Sequence, residues 1–169
     1  MTRIHHRATA DTVRRDLEHH LSGACLKAVV LAPHPSWQGK VSALELLVTC
    51  SPAHDLDCRL VELAAAEVIH LSQCRPNVKQ FVHCRTGLAV TLRVVPLEGW
   101  TLALILATRS RAVRRRLQQA ASDKGYQLSR SEGTLQRPDG TPANLPNERA
   151  AFRLLGVPWT PARGSHASN

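Results

Sequence analysis

The stretch from Gly87 to Tyr126 sets the terms on which the rest of the chain can fold. Its first part places Leu88, Val90, Leu92 and Val94 on one side and Ala89, Thr91, Arg93 and Val95 on the other. That period of two predicts a half-buried strand over Leu88 to Val95. Trp100 to Ala107 is almost continuously apolar and reads as a second strand, covered on both faces and joined to the first by a Pro96–Gly99 turn. After the polar break Thr108-Arg109-Ser110, a helix begins at Arg111. It sets Val113, Leu117, Ala120 and Ala121 on one side and Arg111, Arg114, Arg115 and Gln118 on another. Lys124-Gly125 closes it with a cation and a C′ glycine. A sheet edge feeding directly into a cationic helix suits the holding of a polyanion.

The charge distribution agrees. The chain of 169 residues carries a net charge of +9. From Arg109 onward there are 11 Lys/Arg against 4 Asp/Glu, whereas the preceding residues have 11 against 9. The basic character belongs to the C-terminal third, and an anionic partner is the first expectation. Aromatic residues make up only 4% of the chain, which argues against a stacking platform for single-stranded bases. Cys25, Cys50, Cys58, Cys74 and Cys84 are odd in number and contain no C-x-x-C. They read as reduced, mostly buried thiols of a cytoplasmic protein, neither a disulfide framework nor a zinc site. The first residues lack the apolar core of a secretory signal, and no apolar run is long enough to span a membrane.

In chain order, Ala8 to Leu21 reads as an amphipathic helix with Thr9 or Asp11 as N-cap and Val13, Leu17 and Leu21 inward. Strands follow over Leu26–Leu31 and Leu44–Cys50, then a helix over Leu56–Val68 and strands over Ile69–Ser72 and Val78–Cys84. Beyond the arginine helix, Gln127–Gln136 reads as a short strand pair, Arg137–Gly140 as a turn, and Glu148–Leu155 as a helix capped by Asn147 and Gly156. Val157 to Asn169 reads as an extended tail.

Several short motifs in one order carry a resemblance: VIHLSQCRPNVKQFVHCRTGLAVTLRVVPLEGW, LATRS, RRRLQQAASDKGYQLSRSEGTL and LPNERAAFRLLGVPWTPARG. With their spacing, they resemble family X DNA polymerases, the beta-like group, well over roughly the last hundred residues and loosely before that. The resemblance implies a nucleotidyltransferase palm followed by a thumb, without the amino-terminal lyase and helix-hairpin-helix segments or the carboxy-terminal phosphoesterase of larger members.

The family's palm holds two Mg²⁺ with three aspartates, a D-x-D pair and a third on a neighbouring strand, because hard oxygen ligands suit that ion. Here those positions are Ala43 and Glu45, with Thr91 as the third. The family's phosphate-binding G-S turn falls on Ala32-Pro33, where proline removes a donor. The arginines after it fall on Pro35 and Ser36, and the T-G-S turn before the thumb reads Thr108-Arg109-Ser110. Asp55-Leu56-Asp57 as an alternative D-x-D leaves too little room before the next strand, and Asp55 is more simply a helix cap. Glu45 is either a remnant ligand or, more simply, an exposed acid on an alternating strand. Arg93 can meet a phosphate or pair with Glu45 across the sheet. Trp37 falls in the loop where a nucleotide would sit, and Trp159 reads as part of the thumb core.

Five arginines lie between Arg109 and Arg116 with no acid before Asp123, and such a cluster calls for a counter-anion. Ser110 as cap would add backbone N–H donors. Gln118 stands where the family often has a template-contacting arginine. The reading is therefore an α+β chain: a nucleotidyltransferase-like palm over 1–108, a mixed sheet with helices on one face, and a small basic thumb over 109–169. Its expected function is binding of duplex or gapped DNA without sequence preference, through Arg109, Ser110, Arg111, Arg114, Arg115, Gln118 and Lys124. A degenerate polymerase centre with no cofactor and a role in repair go with it. The alternatives are an active minimal polymerase using Glu45, other ligands and Mg²⁺, and a module that docks a partner protein.

Overall fold

A computed structural model describes residues 5–31, 40–50 and 53–160. Ala32, Pro33, Pro35, Ser36, Trp37 and the tail beyond Thr160 lie outside the described residues. The chain divides into two compact units, Met1–Leu97 and Glu98–Asn169.

In the first unit, β1 (His5–His6) leads into α1 (Arg7–Leu21), followed by β2 (Lys27–Val30), β3 (Lys40–Val41), β4 (Ala43–Thr49) and α2 (Ala53–Ala65). The unit closes with β5 (Ile69–Arg75), β6 (Val78–His83) and β7 (Leu88–Val94). Five strands form one mixed sheet in the order β2-β4-β7-β6-β5, in which only β4 and β7 run parallel. Val13, Leu17 and Leu21 of α1 and Leu56, Leu60 and Leu63 of α2 pack with Leu44, Leu46 and Val48 of β4 and Leu88, Val90 and Leu92 of β7. Both helices thus cover one face, as their leucine spacing dictates. Alternation sends Ala43, Glu45, Thr91 and Arg93 to the other face.

Several expectations are corrected here. Helix α1 starts at Arg7, ahead of Thr9 and Asp11, so neither is its N-cap. Asp55 sits inside the first turn of α2 and favours the positive end of that helix without capping it. Cys58, Cys74 and Cys84 are exposed, while Cys25 and Cys50 are half-buried with sulfurs 3.2 Å apart. Cys58 lies on the outer side of α2, Cys74 on the edge strand β5 and Cys84 in the turn after β6, positions that face away from the core.

His83 closes β6 in the core, 3% exposed. Its Nδ1 lies 3.0 Å from Thr86 Oγ1 and its Nε2 3.7 Å from Asp16 Oδ2. Burial holds the imidazole below its ordinary pKa of 6.5, and although Asp16 pulls the other way, Arg85 and His20 add to the lowering. Below that pH an unfolded chain takes up a proton that the folded one resists, so stability present above 6.5 is lost as pH falls below it. Urea unfolding should show lower stability at pH 5.5 than at pH 7.5, and the difference should shrink in His83→Gln. An unchanged difference would remove His83 from the account.

The second unit opens within a 3-10 turn (Leu97–Gly99) and holds α3 (Trp100–Thr108), α4 (Arg111–Asp123), β8 (Gln127–Ser129), β9 (Thr134–Gln136) and α5 (Glu148–Leu155). Trp100–Thr108 is a helix, not the second strand of a hairpin. A run apolar on every side carries no period, and its leucines and alanines are good helix formers. Leu102 and Ile105 join Leu117, Ala121, Leu135, Phe152 and Leu155 in a core of its own. As a helix, the segment lies in the second compact unit, which begins at Glu98. Strands β8 and β9 pair antiparallel as expected.

The start of α3 meets the β8–β9 turn backbone to backbone. A Cβ on Gly99 would collide with the carbonyl of Glu132, and one on Gly133 would fall 2.5 Å from the Gly99 oxygen and 2.6 Å from the Ala103 Cβ. Gly133 also has φ of +66°, a conformation that costs other L-residues energy. Gly99→Ala is expected to destabilise the protein by about 2 kcal/mol through overpacking, read by urea unfolding; a change below about 0.5 kcal/mol would show that the crossing relaxes. Among the described residues, no helix is long and apolar enough to cross a membrane.

Candidate nucleic-acid interface

Ser110 N-caps α4, its side chain accepting from the Val113 N–H at 3.4 Å. Leu117 and Ala121 are fully buried and Val113 and Ala120 pack beside them, so the apolar stripe fixes which side of α4 faces out. Spacing at i, i+4 and i+7 then places Arg111, Arg115 and Gln118 on the outward side, with Arg114 at its margin next to the apolar stripe. Arg111, Arg115 and Arg116 are exposed. The one acid of α4, Asp123, is the last residue of the helix, away from those guanidiniums, and accepts from Gln119 Nε2 at 2.7 Å.

Not every expected contact belongs to this face. Arg109 is buried, 7% exposed. Its Nε donates to Glu148 Oε1 at 2.5 Å, its Nη1 to the Thr160 carbonyl at 2.7 Å, and the guanidinium lies 5.6 Å from the Phe152 ring centroid. The structure gives Arg109 to the interior, where it ties the loop before α4 to α5, and not to a phosphate. Charge in the sequence marks a cation but not which way it turns. Arg114 is half-buried and donates to the Leu106 carbonyl at 3.2 Å, holding α4 to the end of α3. Lys124 sits at the C-cap, and its Nζ donates to the Leu154 carbonyl at 2.9 Å. Gln118 accepts from Arg130 Nη2 through its side-chain oxygen. Arg130, exposed just after β8, thereby joins Arg111 and Arg115 on one basic ridge; sequence reasoning missed it because a helix residue and a hairpin residue twelve apart share no period. Trp159 packs at the edge of the second core as expected, with the Arg149 guanidinium 4.4 Å from its ring centroid.

The positions at which the family resemblance places metal ligands do come side by side. Strands β4 and β7 are parallel neighbours with Ala43 opposite Ala89 and Glu45 opposite Thr91. The chemistry there is thin: Glu45 is the single carboxylate, and it is ion-paired with Arg93 Nε. Of the two expectations for Arg93, pairing is the one observed. Ala43 has no donor and Thr91 offers one neutral hydroxyl, so this set does not fit a pair of Mg²⁺ ions, which take several carboxylate oxygens. Asp57 does not supply them, because its Oδ1 pairs at 2.5 Å with the buried Lys79. Among the described residues, no three His, Cys, Asp or Glu side chains converge as a metal site.

Residues 103–163 match the family model of the DNA polymerase beta thumb. The match spans a little over a third of the chain. It takes in most of α3, all of α4, the β8–β9 pair and α5, so the basic ridge and the buried Arg109–Glu148 pair both fall inside this thumb-like region. No curated protein matches the chain. The thumb-like region thus carries an exposed arginine ridge on one side of α4 and a core that holds that ridge in place on the other.

Proposed function

We propose that the chain binds duplex or gapped DNA through its thumb-like unit, with Arg111, Arg115 and Arg130 on phosphates and Gln118 between them. The arginine ridge on α4, within a segment that matches a polymerase thumb, carries this reading. Contacts of this type position a protein on the duplex without reading sequence. The N-terminal end of α4, capped by Ser110, is the positive end of the helix, which favours an anion near it.

The first unit, in this reading, is a palm-like sheet that has lost two-metal nucleotidyl transfer, Ala43, Glu45 and Thr91 standing where three aspartates would be needed. The protein then acts as a DNA-binding accessory, for example in repair, inside a reducing compartment where its thiols persist. The experiment pairs fluorescence anisotropy on gapped DNA across a salt series with primer extension on the same DNA in Mg²⁺ and then Mn²⁺. Salt-dependent binding without extension is expected. Extension would overturn the loss of catalysis, and binding that is flat between low and physiological salt would overturn the phosphate ridge.

A further inference from the structure

A second cationic feature lies in the thumb-like unit, apart from the ridge on α4. A groove of about 430 Å³ is lined by Arg137, Asn144, Pro146, Ala150, Arg153 and Leu154. Ala150, Arg153 and Leu154 share one side of α5 by their spacing, the side opposite the buried stripe of Ala151, Phe152 and Leu155. Arg137, just after β9, and the segment through Asn144 and Pro146 form the other wall.

The charged side chains that line this groove are of one sign. Among the described residues, its charged lining is the two arginines, both exposed. Asp139, two residues from Arg137, is outside the lining; its Oδ1 accepts from the Thr141 N–H at 2.8 Å and from the Thr141 hydroxyl at 2.6 Å, which holds it in its turn as a carboxylate that offsets part of the Arg137 charge. The last carbonyls of α5 would repel an anion, but they are taken: Leu154 by Lys124 Nζ, Arg153 by the Gly156 N–H and Phe152 by the Val157 N–H.

The geometry points to a binding site for a phosphomonoester dianion. Two guanidinium forks match its charge and its oxygens better than a singly charged phosphodiester would. Asn144 adds a neutral donor, and Pro146, Ala150 and Leu154 offer an apolar wall for the attached sugar. The volume falls in the range of small-molecule sites. The monoester could come from a free nucleotide or from the terminal phosphate of a strand. The site itself stands without the ridge on α4; only the second source rests on the DNA reading.

The test is a ¹H–¹⁵N NMR titration of the full chain with a nucleoside 5′-monophosphate, and with oligonucleotides ending in a 5′-phosphate or a 5′-hydroxyl. Saturable shifts are expected at Arg137, Asn144 and Ala150–Leu154 with the monophosphate, absent with the same concentration of chloride. They should weaken about tenfold or more in R137Q/R153Q, two exposed positions whose change leaves the rest of the spectrum in place. The 5′-phosphate oligonucleotide reproducing these shifts, and the 5′-hydroxyl one not, would assign the strand terminus; shifts with the free nucleotide alone would assign the small molecule. No saturable shift with either monoester, or shifts unchanged in R137Q/R153Q, would overturn the site. Failure of the DNA reading would appear separately, as the absence of shifts on α4 with either oligonucleotide.

Discussion

Replacing Arg111, Arg115 and Arg130 together with glutamine is expected to weaken binding to gapped DNA about 100-fold or more at physiological salt. The three guanidiniums flank Gln118 on one outward side, and no acid of α4 compensates them. For each phosphate of B-form DNA that goes unneutralised, the dependence of log K on log salt should also flatten by about 0.9, so the slope should fall by about 2.7. Anisotropy across a salt series with wild type and variant reads both quantities. A loss of affinity with an unchanged slope would mean that the variant had damaged the fold and left the phosphate pairing alone. Circular dichroism of the variant should match wild type, because all three side chains lie outside the core.

Arg109→Ala is expected to behave in the opposite way, lowering stability by about 3 kcal/mol while leaving the salt slope of the folded protein unchanged. Removing one partner of a buried ion pair costs about 3–5 kcal/mol because the other charge is stranded; Glu148 keeps 32% exposure, which places the effect at the low end. The Arg109 side chain also packs by Phe152 and holds the Thr160 carbonyl, so its truncation opens a gap as well. Arg109→Lys should restore little of the loss, since an ammonium cannot reach both partners with a planar fork. Urea unfolding followed by tryptophan fluorescence measures the change. An Arg109→Ala protein as stable as wild type, but weaker on DNA, would return this residue to the interface.

The contrast between these two predictions shows where sequence is informative. The α4 helix, its Ser110 cap, its inward Leu117 and its outward Arg111 and Arg115 all follow from a period that side chains impose locally. So do the Asn147 cap on α5, the β8–β9 pair and the alternation that sets Glu45, Thr91 and Arg93 on one side of the sheet. Trp100–Thr108 misleads because an unbroken apolar run suits a covered strand and a covered helix equally well. Arg109 misleads because its fate depends on Glu148, thirty-nine residues on. Arg130 is invisible for the same reason. Of the candidate site, then, the helix is legible in the sequence and its membership is not: one arginine leaves it for the core and another enters from a hairpin.

Gly99 and Gly133 give this fold a kind of information that scans of charge or hydrophobicity do not register. They contribute no side-chain contact, no charge and no apolar area, yet each makes room for the other's backbone. In a saturation library of the second unit, both positions should tolerate as few replacements as Phe152, although the glycines are empty of side chain and Phe152 is filled by a ring. Selection at such a crossing acts on missing atoms.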